Sequence, residues 1–240
     1  GWTVWVVARH DPRVVALVPR SFNVANITEL APAQLDAYGE YTGAAAHLRE
    51  RVDLENLKSL PGYSRFIAEY NPVEWIDELT SKPVLVLMGT NDGLFPPGLE
   101  KTYAHLHPNL HVAYLPNATH TGLHALGETW TTAISFVKYV EEGLEWPTVN
   151  IEVSEQNGGI RIRATFTQTP KTLHLLYATP LRTGTNYADY TESNWRTINL
   201  NPTTPEYTLK VGKPVGVYIL AIYEYKGLTL VATSQILTVK

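Results

Sequence analysis

The feature that most constrains the fold is an unbroken apolar run, PVLVLMG, at residues 83–89. A strand with one face in solvent alternates apolar and polar residues. This run has no polar position and therefore predicts a strand buried on both faces. Two further runs, VVALVP at 14–19 and LHVAYLP at 110–116, predict neighbouring strands. Buried strands of this kind occur in parallel sheets covered by helices, which predicts an α/β layered domain.

Helical patterns separate these strands. Residues 28–80 carry Ala, Leu, Glu and Arg at helical spacing, and we interpret them as a helical insertion. Residues 97–107 predict a helix that a proline ends, and residues 124–143 predict an amphipathic helix closed by Gly143. Residues 2–9 suit a buried helix or a buried strand, since apolar periodicity alone does not distinguish the two.

The pattern changes at EWPTV, residues 145–149. From there to the last residue, short alternating runs are divided by turn residues, for example NGG at 157–159. About seven short strands in a segment of about 94 residues are typical of a β-sandwich of the immunoglobulin or fibronectin type. We therefore predict two domains, residues 1–146 and residues 147–240.

Composition argues against several classes of function. A net charge of −4 and an isoelectric point near 6.1 do not suit a nucleic-acid partner, whose phosphates require a basic surface. No stretch approaches the roughly 18 consecutive apolar residues of a membrane helix, so we expect no transmembrane segment. Cysteine is absent, which excludes disulfides and thiolate metal sites. The HLH at 105–107 lacks a supporting carboxylate, and we predict neither a metal site nor a cofactor.

Two of the predicted strands end in groups suited to proton transfer. Asp92 follows the strand at 83–89, and His120 follows the strand at 110–116. Functional groups of an open parallel sheet lie on loops at the carboxyl ends of its strands. An acid after one strand and a histidine after the next is the order of α/β-hydrolases, in which the carboxylate orients the imidazole. The alternatives are that Asp92 only caps a following helix and that His120 is a surface loop residue.

The remaining histidines and the serines do not complete a triad. His124, one helical turn beyond His120, competes with it for the role of base. His105, His107 and His111 are expected to be solvated near a helix end. The nucleophile of an α/β-hydrolase stands in a G-x-S-x-G turn between a strand and a helix, and no serine of this chain has that context. The chain therefore supplies two members of a predicted Ser-His-Asp triad.

Several segments together resemble the PhoPQ-activated pathogenicity-related protein family. GWTVWVVARHDPRVVALVP at 1–19 resembles the segment that follows the family's nucleophile turn, and LDAYGEYTGA resembles its helical insertion. KPVLVLMGTNDGLFPP and YLPNATH resemble its acid and histidine loops, and LHLLYAT, NWRTINL and GVYILAIYEY follow in the expected order. The resemblance covers almost the whole chain. Two positions depart from it: Asn71 stands where Asp is expected, and Gly93 stands where an acidic residue is common.

The resemblance implies the C-terminal part of an α/β-hydrolase sheet, capped by the helical insertion and followed by the β-sandwich. It implies that a serine lies three residues before Gly1, on an N-terminal segment of the same precursor that was cleaved but stays tightly associated, or that is missing from this sequence. The implied activity is a serine hydrolase for a small-molecule or peptide substrate with an ester or peptide carbonyl. This chain alone is expected to be inactive. Tyr38, Tyr41 and Trp75 are candidates to line the acyl pocket; the plainer interpretation is that they only pack the cap.

A second hypothesis is a non-catalytic protein that keeps the hydrolase scaffold for binding, signalling or assembly, since fold does not determine function. The predicted β-sandwich and Thr-rich runs such as NPTTPEYT favour it. Under either hypothesis we expect an extracellular or cell-surface location. Two sequons, NIT at Asn26 and NAT at Asn117, are then glycosylation candidates.

Overall fold

The structure is a computed structural model that describes residues 1–51, 53–156 and 158–240. Val52, in the predicted insertion, and Asn157, in the predicted turn at 157–159, lie outside the described residues. This part of the chain has five α-helices: α1 Trp2–His10, α2 Leu30–Tyr38, α3 Gly43–Arg49, α4 Tyr63–Tyr70 and α5 Gly127–Glu141. Short 3₁₀ segments lie between them, at Ile27–Glu29, Leu54–Ser59, Pro72–Glu74, Ile76–Leu79, Leu99–Thr102, Ala104–Leu106 and Gly122–Ala125.

The strands fall into one parallel pair and several antiparallel sheets. In chain order they are β1 Val84–Gly89, β2 Leu110–Leu115, β3 Val149–Gln156, β4 Gly159–Phe166, β5 Thr172–Ala178, β6 Arg182–Thr183, β7 Ala188–Asp189, β8 Arg196–Leu200, β9 Glu206–Leu209, β10 Val215–Tyr225, β11 Leu228–Thr233 and β12 Leu237–Val239.

Strands β1 and β2 form the parallel pair that carries the two predicted site residues at its carboxyl end. They run in register from Val84 opposite Leu110 to Gly89 opposite Leu115. Every residue of β1 is buried, because the sheet is covered on both faces, and this explains its unbroken apolar run. The predicted strands at 83–89 and 110–116 are thus confirmed.

The predicted strand at 14–19 is only partly formed. This segment lies parallel to β1 on the side opposite β2, but it makes isolated bridges, Leu17 to Val84 and Arg20 to Leu87. Pro19 has no N–H to donate to a neighbouring strand. Along the edge facing away from β1, the backbone of Ala16 and Val18 has no partner among the described residues.

The predicted helices have mixed outcomes. Residues 2–9 form helix α1, and the predicted helix at 124–143 contains α5 with Gly143 after its end at a φ of 68°. The predicted helix at 97–107 is wrong, because Tyr103 interrupts two 3₁₀ segments with a φ of −142°. Its ring is fully buried and meets Trp5 edge-on at 6.4 Å, so core packing overrides the local helical pattern.

The C-terminal strands are antiparallel throughout. One sheet has the order β3-β4-β9, a second has the order β11-β10-β5-β8 with β12 also on β10, and β6 pairs with β7. The immunoglobulin or fibronectin type of sandwich stays a prediction. Strand β8, within NWRTINL, was not among the strands that the sequence pattern predicted.

The α/β part and the antiparallel sheets share one core. The Ser135 hydroxyl of α5 donates to the backbone oxygen of Thr229 on β11 at 2.8 Å, and the Tyr114 N–H of β2 donates to the Thr233 hydroxyl at 3.1 Å. Trp146, at the predicted domain boundary, is buried and meets Phe136 edge-on at 5.2 Å. A single cluster of buried apolar side chains runs through both parts. The division at 146/147 stays a prediction, and its linker is packed into the core.

Candidate active site

The loop after β1 presents a buried carboxylate. Asp92 is 1% exposed, and its Oδ1 accepts hydrogen bonds from the backbone N–H groups of Leu94 and Phe95, at 2.8 and 3.1 Å. These two bonds fix the carboxylate in a tight turn. The alternative that Asp92 caps a following helix is wrong, because the next helical segment begins at Leu99 and its N-cap residue is Gly98. The two bonds occupy only Oδ1, so Oδ2 is available for a second partner.

The loop after β2 lies directly against the acid turn. The N–H groups of Thr90 and Asn91 donate to the backbone oxygens of Leu115 and Ala118, each at 3.0 Å. Gly89 makes this close approach possible: a Cβ atom there would stand 2.1 Å from the Ala118 oxygen. The glycine at the end of β1 therefore lets the two loops run side by side.

The two predicted site residues meet at this junction. The His120 Nδ1 is 2.9 Å from Asp92 Oδ2. The Asp92 side chain is fully buried, whereas the His120 side chain is 27% exposed. Among the described residues, no group is hydrogen-bonded to the second ring nitrogen, Nε2. A buried carboxylate on Nδ1 fixes the tautomer and stabilises the imidazolium, which leaves Nε2 able to take a proton from a third group.

Two further residues hold the histidine. The Phe95 ring lies 5.3 Å from the His120 ring, and the Ser21 hydroxyl donates to the His120 backbone oxygen at 2.9 Å. Ser21 is buried and has a φ of 49°, in the left-handed region that non-glycine residues rarely adopt. Sequence reasoning missed Ser21, because neither its backbone conformation nor its partner 99 residues away leaves a local signal.

His124, the competing base, is not bonded to the acid in the described structure. Its side chain is exposed, and its pKa is lowered by desolvation and then by the positive charge of Arg20. The guanidinium of Arg20 in turn stacks on the Trp130 ring at 4.0 Å. Of the two candidate histidines, His120 is the one that the fold brings to Asp92.

Helix α2 supports the acid turn from behind. The Tyr38 hydroxyl donates to the Asp92 backbone oxygen at 2.7 Å, and the Gln34 amide donates to the Leu94 oxygen at 2.7 Å. Burial, followed by the negative charges of Asp92 and Asp189, raises the pKa of Tyr38. Sequence reasoning missed Gln34, a buried polar residue in an Ala-rich helix.

The three aromatic pocket candidates are placed differently from one another. Tyr38 holds the acid turn through its hydroxyl. The Tyr41 ring lies 5.8 Å from the Arg49 guanidinium. The Trp75 ring is 1% exposed and stacks under Arg9 at 4.9 Å, an arrangement that matches the packing alternative.

The two sequon asparagines differ in their engagement. The Asn26 oxygen accepts a hydrogen bond from the Thr28 hydroxyl at 2.7 Å within its own sequon. The Asn117 side chain pairs with the backbone of Trp195: its oxygen accepts from the N–H at 2.8 Å, and its amide donates to the carbonyl at 3.3 Å. A glycan would have to be attached to that donating nitrogen, so glycosylation of Asn117 conflicts with this pairing.

The prediction that the histidines at 105–111 are solvated is wrong for two of the three. His107 is 2% exposed and its Nε2 lies 3.0 Å from the Leu79 backbone oxygen. Burial, followed by the charge of His107, lowers the pKa of His111 to about 4. His107 packs inward and His111 lies half-buried on β2, whereas His105 stays exposed.

Residues 1–51, 53–156 and 158–240 contain no group of three or more His, Asp or Glu side chains placed to hold a metal ion. In the same part of the chain, no helix combines the length and apolar character needed to cross a membrane.

Fold and site together define an α/β protein in which a buried Asp92 and a partly exposed His120 pair at the carboxyl ends of adjacent parallel strands. The model of the family described as PhoPQ-activated pathogenicity-related protein matches residues 1–186. The chain belongs to this family, as the sequence resemblance predicted.

A curated relative and two solved structures are also similar to parts of the chain. Autocrine proliferation repressor protein A of Dictyostelium discoideum is 24% identical over 157 residues, which are 64% of this chain and 31% of the relative. The chain thus spans about a third of that protein.

The first structure is BpoC of Mycobacterium tuberculosis H37Rv, assigned as a non-heme bromoperoxidase, with 19% identity and a TM-score of 0.30 over 57% of this chain and 63% of BpoC. Est1E of Butyrivibrio proteoclasticus has 16% identity and a TM-score of 0.30 over 59% of this chain and 56% of Est1E. A TM-score this low does not establish a shared fold for either alignment.

Proposed function

We propose that this chain is the C-terminal part of a serine hydrolase that acts on an ester or peptide carbonyl. The observation that carries the proposal is the contact between Asp92 Oδ2 and His120 Nδ1 at 2.9 Å, with the carboxylate buried and the imidazole partly exposed. The two N–H groups on Oδ1 hold the carboxylate still. A carboxylate held in this way orients a general base rather than serving only as a turn cap.

The proposed reaction follows from this arrangement. A serine hydroxyl attacks the carbonyl carbon while its proton passes to His120 Nε2, and Asp92 stabilises the imidazolium that forms. His120 then gives this proton to the leaving oxygen or nitrogen as the bond to the carbonyl carbon breaks. A water molecule, deprotonated by His120, then attacks the acyl carbon. The bond from that carbon to the serine oxygen breaks, and His120 returns the proton to the serine oxygen as the acid is released. The substrate is a small molecule or a peptide.

The nucleophile is proposed to lie on a segment of the same precursor that precedes Gly1 and stays associated with this chain. The surroundings of Gly1 support the proposal. A Cβ atom at Gly1 would stand 2.2 Å from the Cβ of Phe22 and 2.8 Å from the Arg20 oxygen. Phe22 follows Ser21, whose hydroxyl donates to the His120 backbone oxygen, so a residue shortly before Gly1 would enter close to the histidine loop.

Unpaired surfaces support the same segment. On the edge of residues 14–20 that faces away from β1, the backbone of Ala16 and Val18 has no partner in the described structure, and such edges are normally paired or covered. Nearby, α5 exposes Trp130, Ile134 and Val137, which are 50%, 52% and 39% exposed. We propose that the upstream segment extends the parallel sheet along this edge and covers that helix face, completing an α/β-hydrolase sheet. Residues 28–80 would cap the site, and residues 147–240 would form the β-sandwich domain.

A second candidate is a signalling protein on the same scaffold. The name of the Dictyostelium relative, an autocrine proliferation repressor, favours it. Under both candidates we propose an extracellular or cell-surface location. The name of the Dictyostelium relative, an autocrine repressor, supports this location. In the signalling candidate the Asp92–His120 pair would serve only to hold two loops together.

The experiment that separates the candidates uses the intact precursor and a fluorophosphonate probe, with the modified residue located by peptide mass spectrometry. We expect the probe on a serine of the segment before Gly1. Labelling should be lost in His120→Gln and slowed by about 10³–10⁴-fold in Asp92→Asn, because the base loses its tautomer and its counter-charge. His105→Gln and Asp77→Asn, which change exposed residues, are the matched controls.

Labelling that proceeds at the same rate in His120→Gln would overturn the hydrolase proposal, and so would a precursor without a nucleophile in the turn before Gly1. Under the signalling candidate, the secreted precursor should repress proliferation of the producing cells equally well with Asp92→Asn or His120→Gln. Repression that requires the pair would count against the non-catalytic candidate.

A further inference from the structure

Three polar residues join the acid turn, the histidine loop and the antiparallel part of the chain. The Asn117 N–H donates to the Thr90 hydroxyl at 2.9 Å, and the Thr90 hydroxyl donates to the Asn91 side-chain oxygen at 2.7 Å. Thr90 and Asn91 immediately precede Asp92, and Asn117 stands three residues before His120. The two loops that carry the pair are thus bonded to each other by a continuous chain of hydrogen bonds.

The same asparagines bind a segment that lies 78 to 102 residues further along the chain. The Asn91 amide donates to the Ser193 and Thr191 backbone oxygens at 2.7 and 3.3 Å. The Asn117 side chain exchanges two hydrogen bonds with the Trp195 backbone. We call this set, Thr90, Asn91 and Asn117 with residues 191–195, the asparagine clamp.

Residues 191–195 are themselves held rigidly. Trp195 is 3% exposed and its ring lies 4.9 Å from Tyr190 and 5.1 Å from Tyr218 of β10. The Ser193 hydroxyl donates to the Thr179 backbone oxygen at 2.8 Å. The clamp is therefore anchored in the core of the antiparallel sheets, not in a free loop.

A second tie holds the helix behind the acid turn. The Asp36 carboxylate accepts three backbone N–H groups, from Thr185, Asn186 and Tyr187, at 2.6, 2.7 and 2.8 Å. Asp36 lies on α2 between Gln34 and Tyr38, the two residues that bond to the acid turn. Residues 185–195 thus reach the acid turn by two routes.

We infer that Asn91 and Asn117 are positioning residues for the Asp92–His120 pair, and that residues 185–195 form an integral part of the active-site structure. The β-rich part of the chain is then not a spacer or a separate binding module. Its role is to set the separation between the carboxylate and the imidazole. The loss of rate expected from disrupting the clamp rests on the proposed function. The misalignment of Asp92 and His120 expected from the same change does not.

The test uses the intact precursor with Asn117→Gly. Asn117 has a φ of 58°, which glycine adopts without strain, so this variant deletes the clamp side chain and leaves the backbone unstrained. Asn199→Ala is the matched control, because it removes one side-chain hydrogen bond, to His174, from the same sheet away from the clamp. The primary readout is the proton NMR resonance of the hydrogen shared by His120 Nδ1 and Asp92, which does not depend on a nucleophile.

In the wild type and in Asn199→Ala we expect a downfield Nδ1 proton resonance. In Asn117→Gly this resonance should broaden or disappear, because Asp92 and His120 are misaligned. We also expect kcat to fall about 10-fold and KM to change less than about 2-fold, since the contacts with substrate remain. Asn117→Asp keeps the 2.8 Å acceptor but replaces the donor to the Trp195 carbonyl with an oxygen that repels it, so it should weaken the resonance and reduce kcat by about 3-fold. It also carries the comparison if Asn117→Gly does not fold.

An unchanged resonance in Asn117→Gly overturns the inference. Loss of the resonance without any fluorophosphonate labelling of the wild type supports the clamp and overturns only the proposed hydrolase. Labelling of the wild type with an unchanged resonance and rate in Asn117→Gly keeps the hydrolase and overturns the clamp.

Discussion

The close approach of the two site loops at Gly89 leads to a quantitative prediction for Gly89→Ala. A Cβ atom at this position would stand 2.1 Å from the Ala118 backbone oxygen and 2.7 Å from its carbonyl carbon. Both neighbours are backbone atoms, so no side-chain rotation relieves the overlap. The histidine loop must move away from β1.

The size of that movement follows from the contact. Ordinary van der Waals contact begins near 3.4 Å, so the Ala118 oxygen must retreat by about 1 Å. Overpacking of this kind costs about 1–3 kcal/mol of the free energy of unfolding. Ala118 lies two residues before His120, and under the proposed function a displacement of about 1 Å at the base should reduce the labelling rate by about 10²-fold.

Urea unfolding and fluorophosphonate labelling of the precursor measure the two effects. Gly127→Ala is the matched control, because a Cβ atom there meets nothing within 4 Å and alanine favours the helix in which it lies. We expect the control to keep its labelling rate and its stability, or to gain up to about 1 kcal/mol.

The reasoning would be refuted if Gly89→Ala unfolded at the same urea concentration as the wild type and kept the downfield proton resonance of His120. That result would mean that the two loops are not in contact at the distance the structure gives. Reduced stability with an unchanged labelling rate would separate the packing effect from the positioning of the histidine.

Three further predictions concern buried or half-buried titratable groups outside the Asp92–His120 pair. Burial raises the pKa of Glu100 above 4.5, so above pH 4.5 the folded state keeps a proton that the unfolded state has released. The free energy of unfolding should therefore fall as pH rises above 4.5. Glu100→Gln should remove this slope in urea titrations at pH 4.5 to 8. Burial lowers the pKa of His111 from 6.5 to about 4, so the free energy of unfolding should fall by about 1–3 kcal/mol as pH drops from 6.5 to 4. His111→Gln should lack this loss. Equal pH dependence of the free energy of unfolding in the wild type and in His111→Gln would contradict the prediction. Tyr38→Phe removes the 2.7 Å hydrogen bond to the Asp92 backbone oxygen and should lower the free energy of unfolding by about 0.5–1.5 kcal/mol. Its labelling rate should fall less than that of Gly89→Ala. No change in stability or in labelling rate would show that the bond does not hold the turn.

The meeting of Asp92 and His120 could be predicted from the sequence because both parts of the argument are local. Two apolar runs identify strands buried on both faces, and each site residue follows directly after one of them. Parallel strands bring their carboxyl ends to one edge, so the sheet itself joins two residues that are 28 apart in the chain. No information about side-chain packing was needed.

Elements governed by packing could not be predicted in the same way. The pattern at 97–107 indicates a helix, but burial of the Tyr103 ring against Trp5 breaks it. Helix propensity differs between residues by only tenths of a kcal/mol, whereas burying a large aromatic side chain contributes about 2 kcal/mol or more. His107 and His111 were misjudged for the same reason, since a polar residue next to a helix end is usually exposed.

The sequence by itself determined the buried strands, the α/β class of the first part, the change to antiparallel strands after residue 146, and the two residues, Asp92 and His120, that meet after β1 and β2. Only the tertiary structure decided what holds that pair. Ser21, Asn91 and Asn117 bond to backbone groups 99, 102 and 78 residues away. A backbone carbonyl or N–H is offered by every residue type except for the N–H of proline, so the partner leaves no trace in the sequence. The strands were predictable because burial selects particular residue types. The asparagine clamp was not predictable, since a hydrogen bond to the backbone does not select the residue type of its partner.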